Sequence, residues 1–230
     1  MPLAYLTGRL LYRRKSTQVV RGREDFRVTE NRDGTTTMDA VAMTDDSRFV
    51  RHVTYTRAVD GRPMDGFVRL QVEGSVVGTG YFRLEGTGLH ITTDTAMTGH
   101  TVQTVKAPGD FFSIVTHSVM LDGWIAFNYD WKAGGLQRRT FYNTSTLWNG
   151  TDGPLGRMET YRVSGLGDVE VESPAGTFPC RHLRMDSDLL KVPSSDIFVT
   201  GRHNVLVKYD WNEFDLEYVL ETLKEESFGI

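Results

Sequence analysis

Cysteine is almost missing from this sequence. Cys180 stands alone among 230 residues, which excludes a framework of internal disulfides and fits a reducing, cytoplasmic compartment. Long apolar runs are missing as well. The opening MPLAYLTGRLLYRRKST breaks its apolar residues at Gly8 and Arg9, so it lacks the continuous core of a secretion signal, and nothing later reaches membrane-span length. Neither sign of charge dominates, since 26 basic and 30 acidic side chains leave a net charge of −4. A field that weak gathers no phosphates, so neither nucleic acid nor a membrane is an expected partner. Catalytic signatures are missing too: there is no phosphate loop, dinucleotide fingerprint, H-E-x-x-H or G-x-S-x-G. The six histidines, at 52, 90, 100, 117, 182 and 203, lack the close paired spacing of a zinc site. Neither a metal nor any other cofactor is therefore expected.

What is present is ordinary globular composition, 39% hydrophobic and 24% charged, arranged as one short strand after another. Phe67–Glu73 places Val68, Leu70 and Val72 on one face and Arg69, Gln71 and Glu73 on the other, the period of two of a half-buried strand. Tyr81–Glu85 repeats it. Phe26–Glu30 and Thr35–Met43 flank Asn31-Arg32-Asp33-Gly34, a hairpin turn in which Asp-Gly tolerates positive φ. Phe49–Arg57 is a strand that Val59–Pro63 turns into the next. Met158–Ser164, Asp168–Glu172, Phe178–Asp186, Asp196–Thr200 and Val205–Trp211 continue the series, with SGLG, SPAG and TGRHN between them. Glu213–Glu226 fits both a helical stripe and strand alternation, and is read as a closing strand. The pattern predicts an all-β fold: an antiparallel meander closing into a β-barrel with an internal cavity, because closure removes the edges that a long meander exposes. Residues 1–230 form one such domain, with an internal joint near 133–135 at Ala133-Gly134-Gly135.

One stretch breaks the pattern. Ser113–Trp131, SIVTHSVMLDGWIAFNYDW, sets a histidine, two tryptophans and a tyrosine in an apolar segment with neither clean helical nor clean strand periodicity. It is expected to cross or line the cavity.

TYTRAVDGRPMDGFVRLQVEGSVVGTGYFRL, then THSVMLDGW and SPAGTFPCRHLRM, together resemble a group of uncharacterised bacterial proteins, domains of unknown function, with a lipocalin-like, or calycin-like, β-barrel. The resemblance implies a barrel with an internal cavity and carries no agreed activity.

Within that frame His117 is the first catalytic candidate, since an imidazole between Phe111-Phe112 and Trp124 is desolvated and shifted in proton affinity. His100, after Thr98-Gly99, is the second. Tyr129, beside Asp130, can donate to a developing oxyanion. Trp124, Phe127, Trp131, Tyr142 and Trp148 form an aromatic group that either fills the interior or walls a pocket for a flat apolar ligand. Arg138, near Lys132 and Arg139, would clamp a carboxylate or phenolate at its mouth. Cys180, His182 and Arg184 share a face read as solvated. These parts suit a cofactor-independent lyase, isomerase or hydratase acting by general acid–base catalysis on a small hydrophobic, aromatic or terpenoid-like substrate. The alternative is a carrier or sensor that binds such a ligand without turnover. The expected partner is thus a small hydrophobic or aromatic ligand, and a homo-oligomer is compatible with the sequence.

Overall fold

A computed structural model describes residues 4–46, 48–145, 147, 150–187 and 194–227. Fifteen strands are found among them: β1 Ala4–Arg13, β2 Val20–Glu30, β3 Thr36–Thr44, β4 Phe49–Arg57, β5 Pro63–Val72, β6 Ser75–Glu85, β7 Gly88–Thr95, β8 Gly99–Lys106, β9 Phe111–Val115, β10 Leu136–Asn143, β11 Arg157–Ser173, β12 Gly176–Ser187, β13 Ser195–Thr200, β14 Val205–Trp211 and β15 Glu217–Ser227. A short helix, α1 (Val119–Asp122), and a 3₁₀ turn at Gly123–Phe127 lie between β9 and β10. All the strands belong to one sheet, in the order β8-β7-β6-β5-β4-β3-β2-β1-β15-β14-β13-β12-β11-β10-β9. Neighbours are antiparallel except β9 and β10. The C-terminal strand β15 pairs with β1, joining the two halves of the meander.

The expected barrel closure is not made by hydrogen bonds, because β8 and β9 end the sheet without pairing to each other. After Lys106 the chain turns at 107–110 and enters the concave side instead of continuing the edge. The reason lies in residues 111–127. Phe111, Phe112, Ile114, Val119, Met120, Leu121, Trp124, Ile125 and Ala126 are all buried, and a segment with so many apolar residues on all its sides is stable only where protein surrounds it. That also explains its missing periodicity, since it has no solvent face to mark. The sheet therefore curls around this segment. The segment meets β2 and β5 on one side and β13 and β14 on the other.

Strand alternation sets the inward face. In β3 the buried residues are Thr36, Met38, Ala40 and Ala42, and in β5 Pro63, Gly66, Val68 and Leu70. Burying one such Leu or Val contributes about 1.5–3 kcal/mol. The Asn31–Gly34 hairpin forms as its sequence requires, with Gly34 at φ 81° and the Asn31 amide donating to the Thr35 carbonyl. SGLG, expected to separate two strands, instead lies within the single strand β11, where a bulge between Gly165 and Gly167 leaves Leu166 without a partner on β12. A Cβ at position 165 would sit 2.7 Å from the Tyr129 ring, so the glycine there serves close packing. Ala133-Gly134-Gly135 lies in the turn before β10, which continues the same sheet.

Candidate functional site

The concave side keeps a cavity of about 410 Å³ between the inserted segment and strands of both halves of the sheet. Its exposed rim carries Arg14, Arg21, Asp46 and Asp215, with Arg21 paired to Asp46 and Arg14 to Asp215 at 3.7 Å. Its wall is mostly apolar and aromatic, including Phe112, Val115, Leu121, Ile125, Tyr161 and Tyr209. That volume and lining suit one small organic molecule.

Beneath the wall lies a buried charged network built from strand positions of inward parity. Glu24 shares its face with Phe26 and Val28, is fully buried, and accepts four hydrogen bonds. Oε1 takes the Ser118 hydroxyl at 2.9 Å and the Met120 amide at 2.8 Å. Oε2 takes the Tyr12 hydroxyl at 2.9 Å and the Val119 amide at 3.0 Å. The last two amides open α1, whose first N–H groups have no partner within the helix, so a strand carboxylate caps the helix where the Ser118 side chain does not. Burial raises the Glu24 pKa above its ordinary value, and the four donors pull it back down.

Arg51 shares its face with Phe49, Val53 and Tyr55 and is also buried. It donates to the carbonyls of His117 at 2.8 Å and Gly150 at 3.0 Å and lies over the Phe49 ring. The His117 carbonyl needs that anchor. Residue 117 has φ 58°, a left-handed conformation uncommon outside glycine, and the bend it makes carries the chain from β9 into α1. The His117 ring lines the cavity and donates from Nε2 to the Asn143 side-chain oxygen at 2.9 Å. The Asn143 amide in turn donates to buried Glu159 at 3.3 Å.

Asp122, the last residue of α1, lines the same cavity. No hydrogen bond or ion pair among the described residues reaches its carboxyl group. Burial and the nearby Glu24 charge push its pKa well above the usual aspartate value, with Arg51 opposing. The phenols of Tyr161, Tyr209 and Tyr218 are raised as well, chiefly by burial, with Asp122 contributing to each. The site thus combines an acid of raised pKa, a capped carboxylate, a held guanidinium and an imidazole around one mostly apolar space.

Of the residues expected from sequence that are described, only His117 lines this cavity. His100 lies on the exposed face of β8, with Nδ1 3.0 Å from Asp94 directly across on β7. The Tyr129 hydroxyl donates to the Gly135 carbonyl at 2.7 Å, and its ring packs against Trp131. Trp124 is buried between Tyr55 and Phe127, and Arg57 lies 3.5 Å over the Phe127 ring. Phe127 and Trp131 border a separate, more open depression on the other side of the inserted segment. Tyr142 is fully buried against Phe82, its oxygen accepting from the Gly156 amide at 3.1 Å. Arg138 is exposed on β10. Trp148 lies outside the described residues. Cys180 is not on a solvated face: the 3₁₀ turn and Trp131 approach that part of β12, and burial pushes its thiol up to about 11.

Glu24, Arg51 and Asp122 were not anticipated. For the first two a signal existed, since each is a charged residue at the inward parity of a strand. Asp122 sits in a single helical turn with no period to betray it.

The fold and cavity define a barrel-like, all-β protein. No family model matches the chain, and no curated protein matches it. Among solved structures it is similar to a β-barrel-like protein of a domain of unknown function, DUF1849, from Brucella abortus, at 14% identity over 99% of this chain and 98% of that one, with a TM-score of 0.56. A DUF1089 family protein from Pseudomonas aeruginosa matches at 9% identity over 83% of this chain and 90% of that one, with a TM-score of 0.48. The first likeness extends over essentially the whole chain and shows the fold alone. Among the described residues, no helix is long and apolar enough to cross a membrane.

Proposed function

We propose that the protein binds one small, largely apolar ligand in the cavity between the inserted segment and the curled sheet. The observation that carries this reading is the Asp122 carboxyl, to which no described residue gives a hydrogen bond, at a mostly apolar cavity wall. A half-buried acid that lines an enclosed space and has no hydrogen bond from the described residues is a natural partner for a ligand's polar end. A cytoplasmic setting, expected from the lone cysteine, belongs to the same proposal. Titration calorimetry with a panel of aromatic and terpenoid alcohols tests it. At least one compound should bind with one-to-one stoichiometry, and Val115→Trp, which fills the space, should abolish the signal. If no compound binds, or if the filled variant binds as well as the native chain, the reading fails.

The same acid supports a second reading, cofactor-independent lyase, isomerase or hydratase chemistry on such a ligand. A carboxyl whose pKa is pushed well above its ordinary value can act as general acid, and here it, not His117 alone, is the group to remove. Exchange of substrate hydrogen with deuterium, followed by NMR, should be lost in Asp122→Asn if proton transfer occurs. Exchange that persists unchanged excludes Asp122 from that role.

A further inference from the structure

The charge balance of the cavity narrows the class of ligand, given that the cavity binds one. Two of its charged groups are already committed. The Glu24 carboxylate holds four donors, and the Arg51 guanidinium is turned onto the His117 and Gly150 carbonyls. Each acts on Asp122 through space, with opposite sign, so the enclosed site is close to neutral only while Asp122 keeps its proton. Tyr161 from β11, Tyr209 from β14 and Tyr218 from β15 reach it from the remaining sides. None of these phenols carries charge at neutral pH.

Three kinds of ligand end can be set against that arrangement. An anion adds a negative charge beside Glu24 while the Arg51 guanidinium is held by backbone carbonyls, so it is repelled. A hydroxyl or carbonyl exchanges one hydrogen bond with Asp122 and leaves the charge sum unchanged. A cation lets Asp122 ionise, so that the ligand's charge takes the place of the departing proton and the sum again stays the same. In that case the gain is an ion pair in a water-poor space, with aromatic rings as the surrounding surface, which is the setting that favours ammonium groups. We propose that the cavity takes an organic monocation, with its ammonium group against Asp122 and its aromatic or alkyl body along Phe112, Val115, Leu121 and Ile125. The paired rim residues, Arg14 with Asp215 and Arg21 with Asp46, add no net charge that would repel it on entry.

The test compares 2-phenylethylammonium, 2-phenylethanol and phenylacetate, which share one body and differ at the polar end. Calorimetry at neutral pH should rank the ammonium roughly tenfold or more tighter than the other two, and a pH-stat should record about one proton released for each ammonium bound. Asp122→Asn should weaken the ammonium by roughly tenfold or more while leaving the alcohol within about threefold. Should the variant fail to fold, proton release from the native chain decides the matter alone. If the alcohol or the carboxylate binds as tightly as the ammonium, or if the ammonium binds without releasing a proton, the cation is overturned while the cavity remains a binding site. If none of the three binds, the binding reading and the cation fail together.

Discussion

Replacing Asp122 by Asn removes a titrating group whose pKa the fold raises, and the consequence is a stability that depends on pH in a defined direction. In the unfolded chain the carboxyl titrates near its ordinary value of 3.8, whereas in the folded chain its pKa is well above that. Between the two values the native state binds more protons than the unfolded state, so native stability falls as pH rises. The slope from one such group is at most about 1.4 kcal/mol for each pH unit. Asparagine keeps the shape and carries no such term. The stability of the variant relative to the native chain should therefore grow steadily with pH and level off once the folded-state pKa is passed. With a urea dependence of ~2 kcal/mol/M, each pH unit separates the two unfolding midpoints by a further ~0.7 M. Tryptophan fluorescence during urea unfolding, at steps from about pH 4.5 to about pH 8, reads the effect directly. The pH at which the difference stops growing reports the folded-state pKa. A difference that stays flat, or a variant that loses ground as pH rises, would show that the carboxyl is paired or freely solvated, and both functional readings would lose their central group.

Glu24→Gln should destabilise by about 1–3 kcal/mol, because one carboxylate oxygen becomes an NH₂ facing a backbone amide of α1 that can only donate; an unchanged urea midpoint would mean that the cap is dispensable. Gly156→Ala puts a Cβ 1.7 Å from the Asn143 carbonyl oxygen and should cost about 1–3 kcal/mol or more as β10 shifts, visible as a lower thermal midpoint. Cys180 should resist an aromatic disulfide reagent in the native state and react fully in denaturant, since burial keeps it a thiol; rapid native labelling would contradict its placement.

Much of the fold was legible because strand alternation is a local property. The Asn31–Gly34 hairpin, β4, β5 and the choice of strand over helix for the C-terminal segment were all readable from neighbouring residues. β1 and β8 were not recognised, and SGLG was taken for a turn where one glycine in fact gives way to the Tyr129 ring. In these places the deciding contacts lie far along the chain: β1 owes its position to pairing with β15, more than 200 residues away. The candidate site was less legible still. Aromatic and histidine content pointed to 113–131, yet among the chosen residues that are described only His117 meets the cavity, whereas Glu24 and Arg51 come from strands 94 residues before Ser118 and 66 before His117.

By itself, then, the sequence determined that this chain would form strands, that most would lie beside their neighbours in a meander, and that Ser113–Trp131 would break that pattern with neither helical nor strand periodicity. Those outcomes follow from side-chain alternation and turn chemistry acting over a few residues. Only the tertiary structure decided that the sheet would stay unzipped between β8 and β9, that the inserted segment would occupy its hollow, and that Asp122 would line a cavity there with no hydrogen bond from the described residues. Such features depend on which distant surfaces meet, and on how a carboxyl responds when water is removed from around it.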